Sequence, residues 1–158
     1  MVRDKGQAGA KTRGLVDVRD LLVPTDGSRA SMEAVALASA VAKRNKGNVH
    51  IVHVIEVARG LPLDADLTIE AEQGARYLSE AEHVAERMDA PHVDTALLQA
   101  REACHAIVDE ATNRNVDAIV LGIEYREPFG QFEVGRTTAF VLRNAPCQVW
   151  VHRLAARE

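Results

Sequence analysis

The sequence contains few of the residues that mark disulfide-rich or membrane-spanning proteins. Only two cysteines, Cys104 and Cys147, occur among the 158 residues, and they lie too far apart to suggest a disulfide framework. We therefore expect a reducing, cytoplasmic location. No apolar run approaches the roughly 20 residues of a membrane-spanning helix, and no signal peptide is visible. The sequence thus predicts no direct insertion into a membrane.

The sequence also lacks an excess of positive charge and a recognisable set of catalytic residues. Acidic residues outnumber basic ones by 23 to 19, which gives a formal net charge of −4. This balance argues against nucleic acid as a partner. No Ser-His-Asp set or acid/base pair stands out, and no cysteine has a second cysteine at metal-binding spacing. We therefore predict a non-enzymatic protein without catalytic residues or metal ligands.

Five short apolar segments alternate with four amphipathic segments along most of the chain. The second apolar segment, residues 49–55, is apolar at almost every position, which is typical of a strand covered on both faces. An alternating order of this kind predicts the α/β class with a mainly parallel sheet. The predicted strands are 20–23, 49–55, 93–98, 117–121 and 147–152, and the predicted helices are 31–44, 68–88, 103–113 and 135–144.

The first 19 residues differ in composition from the rest of the chain. They contain three glycines and five lysines or arginines, but only one short apolar pair, Leu15-Val16. Such a segment has too little apolar surface to fold alone. We predict a flexible tail over residues 1–19 and a folded domain over residues 20–154.

Three segments are expected to meet at the carboxyl edge of the sheet, where α/β proteins place their binding sites. They are Pro24–Ser28, Val54–Ala58 and Gly122–Arg136. Asp26 is the carboxylate best placed to contact a ligand, although it also suits a turn that caps the first helix. Both roles remain open, because a capping aspartate can hold its side chain near a ligand.

Four motifs, taken in order, resemble those of the universal stress protein family. They are LLVPTDGSRAS, VHIVHVIE, VDAIVLG and GRTTAFVLRNAPCQVWVHR, and they run from about Asp20 to Arg153. The resemblance implies a flavodoxin-like, Rossmann-like open sheet of five parallel strands with helices on both faces. It also implies a stress-response regulator that forms a homodimer through its last strand, here Cys147–His152.

One branch of this family binds ATP through a signature of three glycines and a serine or threonine. The signature falls here on positions 122, 125, 135 and 136, where Gly122 and Gly135 match and Tyr125 and Arg136 depart. We predict a nucleotide site formed by Pro24, Thr25, Asp26 and Val54 near the adenine, and by Gly122, Gly135, Arg136 and Thr137 near the phosphates. Of these, Pro24, Asp26, Val54, Gly122 and Gly135 match the family.

The altered phosphate segment leaves two functions open. Tyr125 resists a positive φ and would take up space beside a phosphate, so hydrolysis of ATP is expected to be slow at most. Arg136 and Thr137 can still supply a guanidinium and a hydroxyl to a phosphate at the helix start. The first function is therefore regulatory binding of ATP, ADP or AMP, with Mg²⁺ as a companion ion. The alternative is an interaction or dimerisation module without nucleotide, regulating a partner such as a transporter.

Overall fold

The computed structural model describes residues 17–156 and consists of one parallel sheet flanked by helices. This architecture confirms the predicted α/β class, with five strands and four helices in alternating order. Within the described residues no helix combines the length and the apolar character needed to cross a membrane. The elements are β1 (Asp20–Pro24), α1 (Arg29–Asn45), β2 (Asn48–Glu56), α2 (Thr68–Arg87), β3 (His92–Ala100), α3 (Ala103–Arg114), β4 (Ala118–Ile123), α4 (Arg136–Asn144) and β5 (Gln148–Arg153).

The strand order places the carboxyl ends of β1 and β4 side by side at the centre of the sheet. The order is β3-β2-β1-β4-β5, and every neighbouring pair is parallel. The chain therefore leaves β1 towards one side of the sheet and leaves β4 towards the other. Such a reversal opens a crevice beyond the strand ends, which is where ligands bind in open α/β sheets.

Both faces of the sheet are apolar because each is covered by two helices. Leu21 and Val23 pack into the core beneath α1 and α2, which also contains Ala38 of α1. Leu22 packs on the opposite face, in a second core that α3 and α4 cover and to which α4 contributes Val141. Successive strand residues point to opposite faces, so a strand covered on both sides must be apolar at every position.

Helix α1 begins at a side-chain cap and lies close to the sheet. The hydroxyl of Ser28 accepts a hydrogen bond from the N–H of Ser31 at 3.2 Å, which satisfies one of the free donors at the helix start. Lys46 takes a left-handed conformation, with φ of 55°, and ends the helix. Small side chains on the inner face allow the helix backbone to approach the strands, and those fully buried include Ala34, Ala38 and Ala42.

The start of the fold lies just before β1. The predicted tail over residues 1–19 falls mainly outside the described residues, and for those positions it stays a prediction. Val18 near its end is fully buried. The N–H groups of Arg19 and Asp20 donate to one carboxylate oxygen of Asp117 at 3.0 and 2.9 Å. This side chain therefore joins the start of β1 to the start of β4.

Gly122 lies where β4 passes the first turn of α1. A Cβ atom at this position would lie 1.9 Å from the carbonyl oxygen of Ala30 and 2.9 Å from the amide nitrogen of Ser31. Backbone atoms of a helix cannot turn aside as the end of a side chain can. The packing of α1 against β4 therefore requires a glycine here, whatever else the residue contributes.

We expect Gly122→Ala to lower the free energy of unfolding by about 1–3 kcal/mol, because the added methyl group forces α1 away from β4. Gly60→Ala is the matched control, since a Cβ at that position meets no atom within 4 Å. The control is expected to stay within about 0.5 kcal/mol of the unchanged protein. Urea denaturation measures both values, and equal stability of the two variants would contradict the close contact.

Candidate functional site

A cleft of about 570 Å³ opens at the carboxyl ends of β1, β2 and β4 and reaches the first turn of α4. We call it the switch-point cleft, because it lies where the strand order reverses. Seven of the eight residues assigned above to a nucleotide site line it, although they come from four separate parts of the chain. They are Pro24, Thr25, Asp26, Val54, Gly122, Gly135 and Thr137.

The turn after β1 is closed by hydrogen bonds of its own side chains. The hydroxyl of Thr25 accepts from the N–H of Gly27 at 3.1 Å and lies 2.9 Å from the hydroxyl of Ser31. Asp26 accepts from the N–H of Ser28 at 3.0 Å, which is the bond of an Asx turn. These bonds hold Asp26 at the wall of the cleft, so it serves the turn and faces the cleft as well.

The carboxyl group of Asp26 is held in its ionised form. Partial burial alone would raise its pKa, but hydrogen bonds from the side chain and the N–H of Ser28 and from the side chain of Ser31 outweigh this effect. The pKa of Asp26 therefore lies below its ordinary value. At neutral pH this group can accept hydrogen bonds from a ligand but cannot donate one.

His53 of β2 also lines the cleft, next to the turn after β1. Its Nδ1 lies 2.7 Å from the carbonyl oxygen of Thr25. A carbonyl can only accept, so Nδ1 carries a proton in this contact. The imidazole packs edge-on against the ring of Tyr77, with ring centres 5.4 Å apart. Tyr77 belongs to α2, so this histidine connects α2 to the floor of the cleft.

The first turn of α4 presents free backbone donors to the cleft. Gly135 is the N-cap residue, and no side chain among the described residues caps the helix. The first helical hydrogen bond runs from the N–H of Ala139 to the carbonyl of Gly135. The N–H groups of Arg136, Thr137 and Thr138 therefore remain available to an anion, and the helix dipole favours one there. A Cβ at Gly135 would meet nothing within 4 Å.

Arg136 is the one assigned residue that the structure does not bring to the switch-point cleft. Its guanidinium donates to the carboxylate of Glu102, the N-cap residue of α3. Helices α3 and α4 pack side by side, which places the carboxylate within reach of the arginine. The guanidinium expected on a phosphate therefore lies in a neighbouring cleft beside α3.

Tyr125 does not obstruct the cleft either, although the sequence suggested that it would. Its ring stacks on Phe132, with ring centres 5.3 Å apart and planes 16° apart. The guanidinium of Arg153, at the end of β5, lies 4.8 Å from the centre of the tyrosine ring. Tyr125 keeps a negative φ, since the described non-glycine residues with positive φ are three others. The loop has thus turned this side chain towards β5.

The charges that line the cleft are mostly negative. Four carboxylates and one guanidinium face it, and the guanidinium of Arg126 is paired with Glu124 at 2.9 Å. Glu56 lies at the end of β2 and accepts from the N–H of Ala103 at 3.4 Å. At one end of the cleft, backbone N–H groups can therefore bind an anion, whereas elsewhere the carboxylates repel it.

The assignment from sequence missed several residues of the cleft. Position at a strand end was the available signal for His53 and Glu56, because both lie near the carboxyl end of β2. Ser28 and Ser31 follow β1 within one turn of helix and line the same wall. Arg126 and Glu133 belong to the segment Gly122–Arg136 that was expected at this edge, but which of its side chains face the cleft depends on how the loop folds.

Comparison with known proteins gives one consistent result. The model of the universal stress protein family matches residues 18–153 of this chain. A universal stress protein of Thermus aquaticus is 32% identical over 139 residues, which cover 85% of this chain and 98% of that protein.

Two solved structures share the fold and hold an adenine nucleotide. A universal stress protein in complex with cAMP has a TM-score of 0.67 and 19% identity, covering 88% of this chain and 99% of that one. A universal stress protein of Archaeoglobus fulgidus in complex with dAMP has a TM-score of 0.65 and 24% identity, covering 85% of this chain and 98% of that one.

We expect Asp26→Asn to lower the melting temperature at neutral pH, and the loss to shrink as the solution becomes acidic. A carboxylate with a lowered pKa stabilises the fold fully above the ordinary aspartate pKa of about 4, and this contribution is lost as the pH falls through the lower folded value. Thermal unfolding between pH 3 and pH 7 tests this, with Asp64→Asn in an exposed loop as control. If the melting temperatures of Asp26→Asn and the unchanged protein differ by the same amount at every pH, the lowered pKa of Asp26 is contradicted.

Proposed function

The chain belongs to the universal stress protein family, and from this premise we propose that it is a regulatory protein that binds an adenine nucleotide in the switch-point cleft. The observation that carries the proposal is the convergence of seven assigned residues on one cleft. These residues include strand ends on one side and the uncapped start of α4 on the other. Binding, rather than catalysis, is the proposed activity.

The strand-end side of the cleft suits a nucleoside. Pro24 and Val54 supply apolar surface for a base, beside Ile107 of α3. Each oxygen of an ionised carboxylate can accept two hydrogen bonds, so Asp26 can accept from a donor on the ligand besides the bonds from Ser28 and Ser31. An exocyclic amine of adenine or a ribose hydroxyl has the required N–H or O–H.

The α4 side of the cleft suits one phosphate better than three. The N–H groups of residues 136–138 form a site for a single anionic group at a helix start. Four carboxylates line the cleft against one paired guanidinium, so each further phosphate meets growing repulsion. We therefore propose a preference for a nucleoside monophosphate, with Mg²⁺ required to offset the charge of ATP. The two nucleotides named above, cAMP and dAMP, both carry a single phosphate.

Calorimetry with AMP, cAMP and ATP tests the proposal. We expect AMP or cAMP to bind at least tenfold more tightly than ATP without Mg²⁺, and Gly135→Asp to weaken AMP binding at least tenfold. The new carboxylate would occupy the free N–H groups of α4 and repel the phosphate, while a good N-cap residue keeps the helix stable.

Gly60→Asp is the control, because it adds the same charge at an open position that does not line the cleft. It should leave the affinity for AMP unchanged. If no ligand releases or absorbs heat at millimolar concentration, the chain is an interaction module without nucleotide. If Gly135→Asp binds AMP as the unchanged protein does, the phosphate does not lie at α4.

We further propose that two chains associate through β5. This strand ends the sheet in the described part of the chain, so its outer edge keeps unpaired backbone groups. Val151 adds exposed apolar surface on this strand, with 39% exposure, and Leu142 of the preceding helix α4 is 52% exposed. Trp150 is partly buried against the core beneath α1 and α2, and its indole N–H donates to Gln148 at 3.0 Å.

We expect Val151→Lys to convert the dimer to a monomer, because a charge at the seam must be desolvated when the edges pair. Light scattering after size-exclusion chromatography measures the mass of each species. Leu97→Lys on β3, the opposite edge strand, is the matched control, since Leu97 has the same 39% exposure. A monomeric unchanged protein, or a dimer lost only in the β3 variant, would contradict the proposal.

A further inference from the structure

The residues at the start of α3 bring a carboxylate, a thiol and an imidazole to one point. One oxygen of Glu102, the sulfur of Cys104 and one ring nitrogen of His105 all lie within 4.8 Å of one another. Nε2 of His105 lies 2.8 Å from Oε2 of Glu102. This cluster lies outside the lining of the switch-point cleft, although Ala103 between its members lines that cleft.

The local backbone explains why three residues so close in sequence can converge. Glu102 precedes the helix and is extended, with φ of −136° and ψ of 126°, while Cys104 and His105 belong to the first turn of α3. Within a regular helix, residues two apart diverge. The change from extended to helical backbone at Glu102 lets its side chain reach His105.

We propose that Glu102, Cys104 and His105 bind a divalent transition-metal ion of the Zn²⁺ class. Thiolate and imidazole are ligands that Zn²⁺ and its chemical neighbours prefer, and a carboxylate completes a set of three protein ligands. The same set does not suit Mg²⁺ or Ca²⁺, which bind oxygen. The carboxylate and the thiolate carry two negative charges, although the guanidinium of Arg136 already offsets part of the charge on Glu102.

The environment of Cys104 supports a ligand role. Its side chain is only 4% exposed, yet it belongs to neither of the two apolar clusters that flank the sheet. Among the described residues it takes part in no hydrogen bond that would occupy the sulfur. A metal ion gives this buried thiol a partner that the packing does not supply.

Two residues of α4 hold the other ligands in place. Arg136 donates to Oε1 of Glu102, which leaves Oε2 directed at His105. The ring of Phe140 packs on the imidazole of His105, with centres 4.4 Å apart. Contacts of this kind orient metal ligands before the ion arrives.

The cluster faces open space on one side, where a fourth ligand has room. Glu102 and His105 line the cleft beside α3, which has a volume of about 830 Å³. Asp109 lies four residues after His105 on the same helix and lines the same cleft. Water therefore has room to complete a tetrahedral arrangement as the fourth ligand.

Titration of the reduced, tag-free and metal-free protein with Co²⁺ tests the site, because a cobalt–thiolate bond gives a charge-transfer band in the near ultraviolet. We expect one equivalent of Co²⁺ per chain to produce this band and Zn²⁺ to abolish it by displacement. Cys104→Ser should remove the band, and Glu102→Gln and His105→Ala should each weaken Zn²⁺ binding at least tenfold.

Cys147→Ser is the matched control and should leave the band unchanged. Burial raises the pKa of the Cys147 thiol to about 11, so this cysteine stays protonated at neutral pH. A missing band in the unchanged protein, or a band that persists in Cys104→Ser, overturns the proposal. Equal Zn²⁺ affinity in Glu102→Gln also overturns it and leaves an adventitious ion only. If circular dichroism shows that Cys104→Ser does not fold, the Zn²⁺ affinity of Glu102→Gln decides whether the site exists.

Discussion

The close contact between Gly122 and the first turn of α1 is the constraint on which the rest of the site depends. Because a glycine hydrogen faces the carbonyl of Ala30, β4 and α1 approach more closely than any side chain would allow. This approach sets the turn after β1 against the end of β4 and leaves the crevice open above them. The contact between the backbones of β4 and α1 therefore determines the architecture of the cleft.

The parts of the fold that could be predicted from sequence are those determined by local pattern. The strands are apolar at successive positions because both sheet faces are covered. Each predicted helix and strand appears, and no end is shifted by more than two residues. Site residues whose position depends on the backbone could be predicted in the same way. Pro24, Val54, Gly122 and Gly135 line the cleft because three strands end and α4 begins there.

Side-chain direction could not be predicted, because distant partners decide it. Arg136 turns to Glu102, 34 residues away in sequence, and the sequence gives no sign that α3 and α4 bring them together. Tyr125 turns to Arg153 of β5 instead of filling the cleft. The spacing of Glu102, Cys104 and His105 did not predict their cluster either. Two of these residues belong to a helix and the third does not, so no regular helical spacing relates all three.

The stack of Arg153 on Tyr125 and Phe132 has a consequence for how a ligand enters. A cation–π contact at an exposed site is worth about 0.5–1 kcal/mol, which corresponds to a closed-to-open ratio of only about two to five at room temperature. The contact thus contributes only weakly to holding the loop from β4 to α4 against β5. Because Arg126 and Glu133 of this loop line the cleft, a contact that thermal motion can break holds part of the cleft wall, and that wall need not be rigid for a ligand to enter.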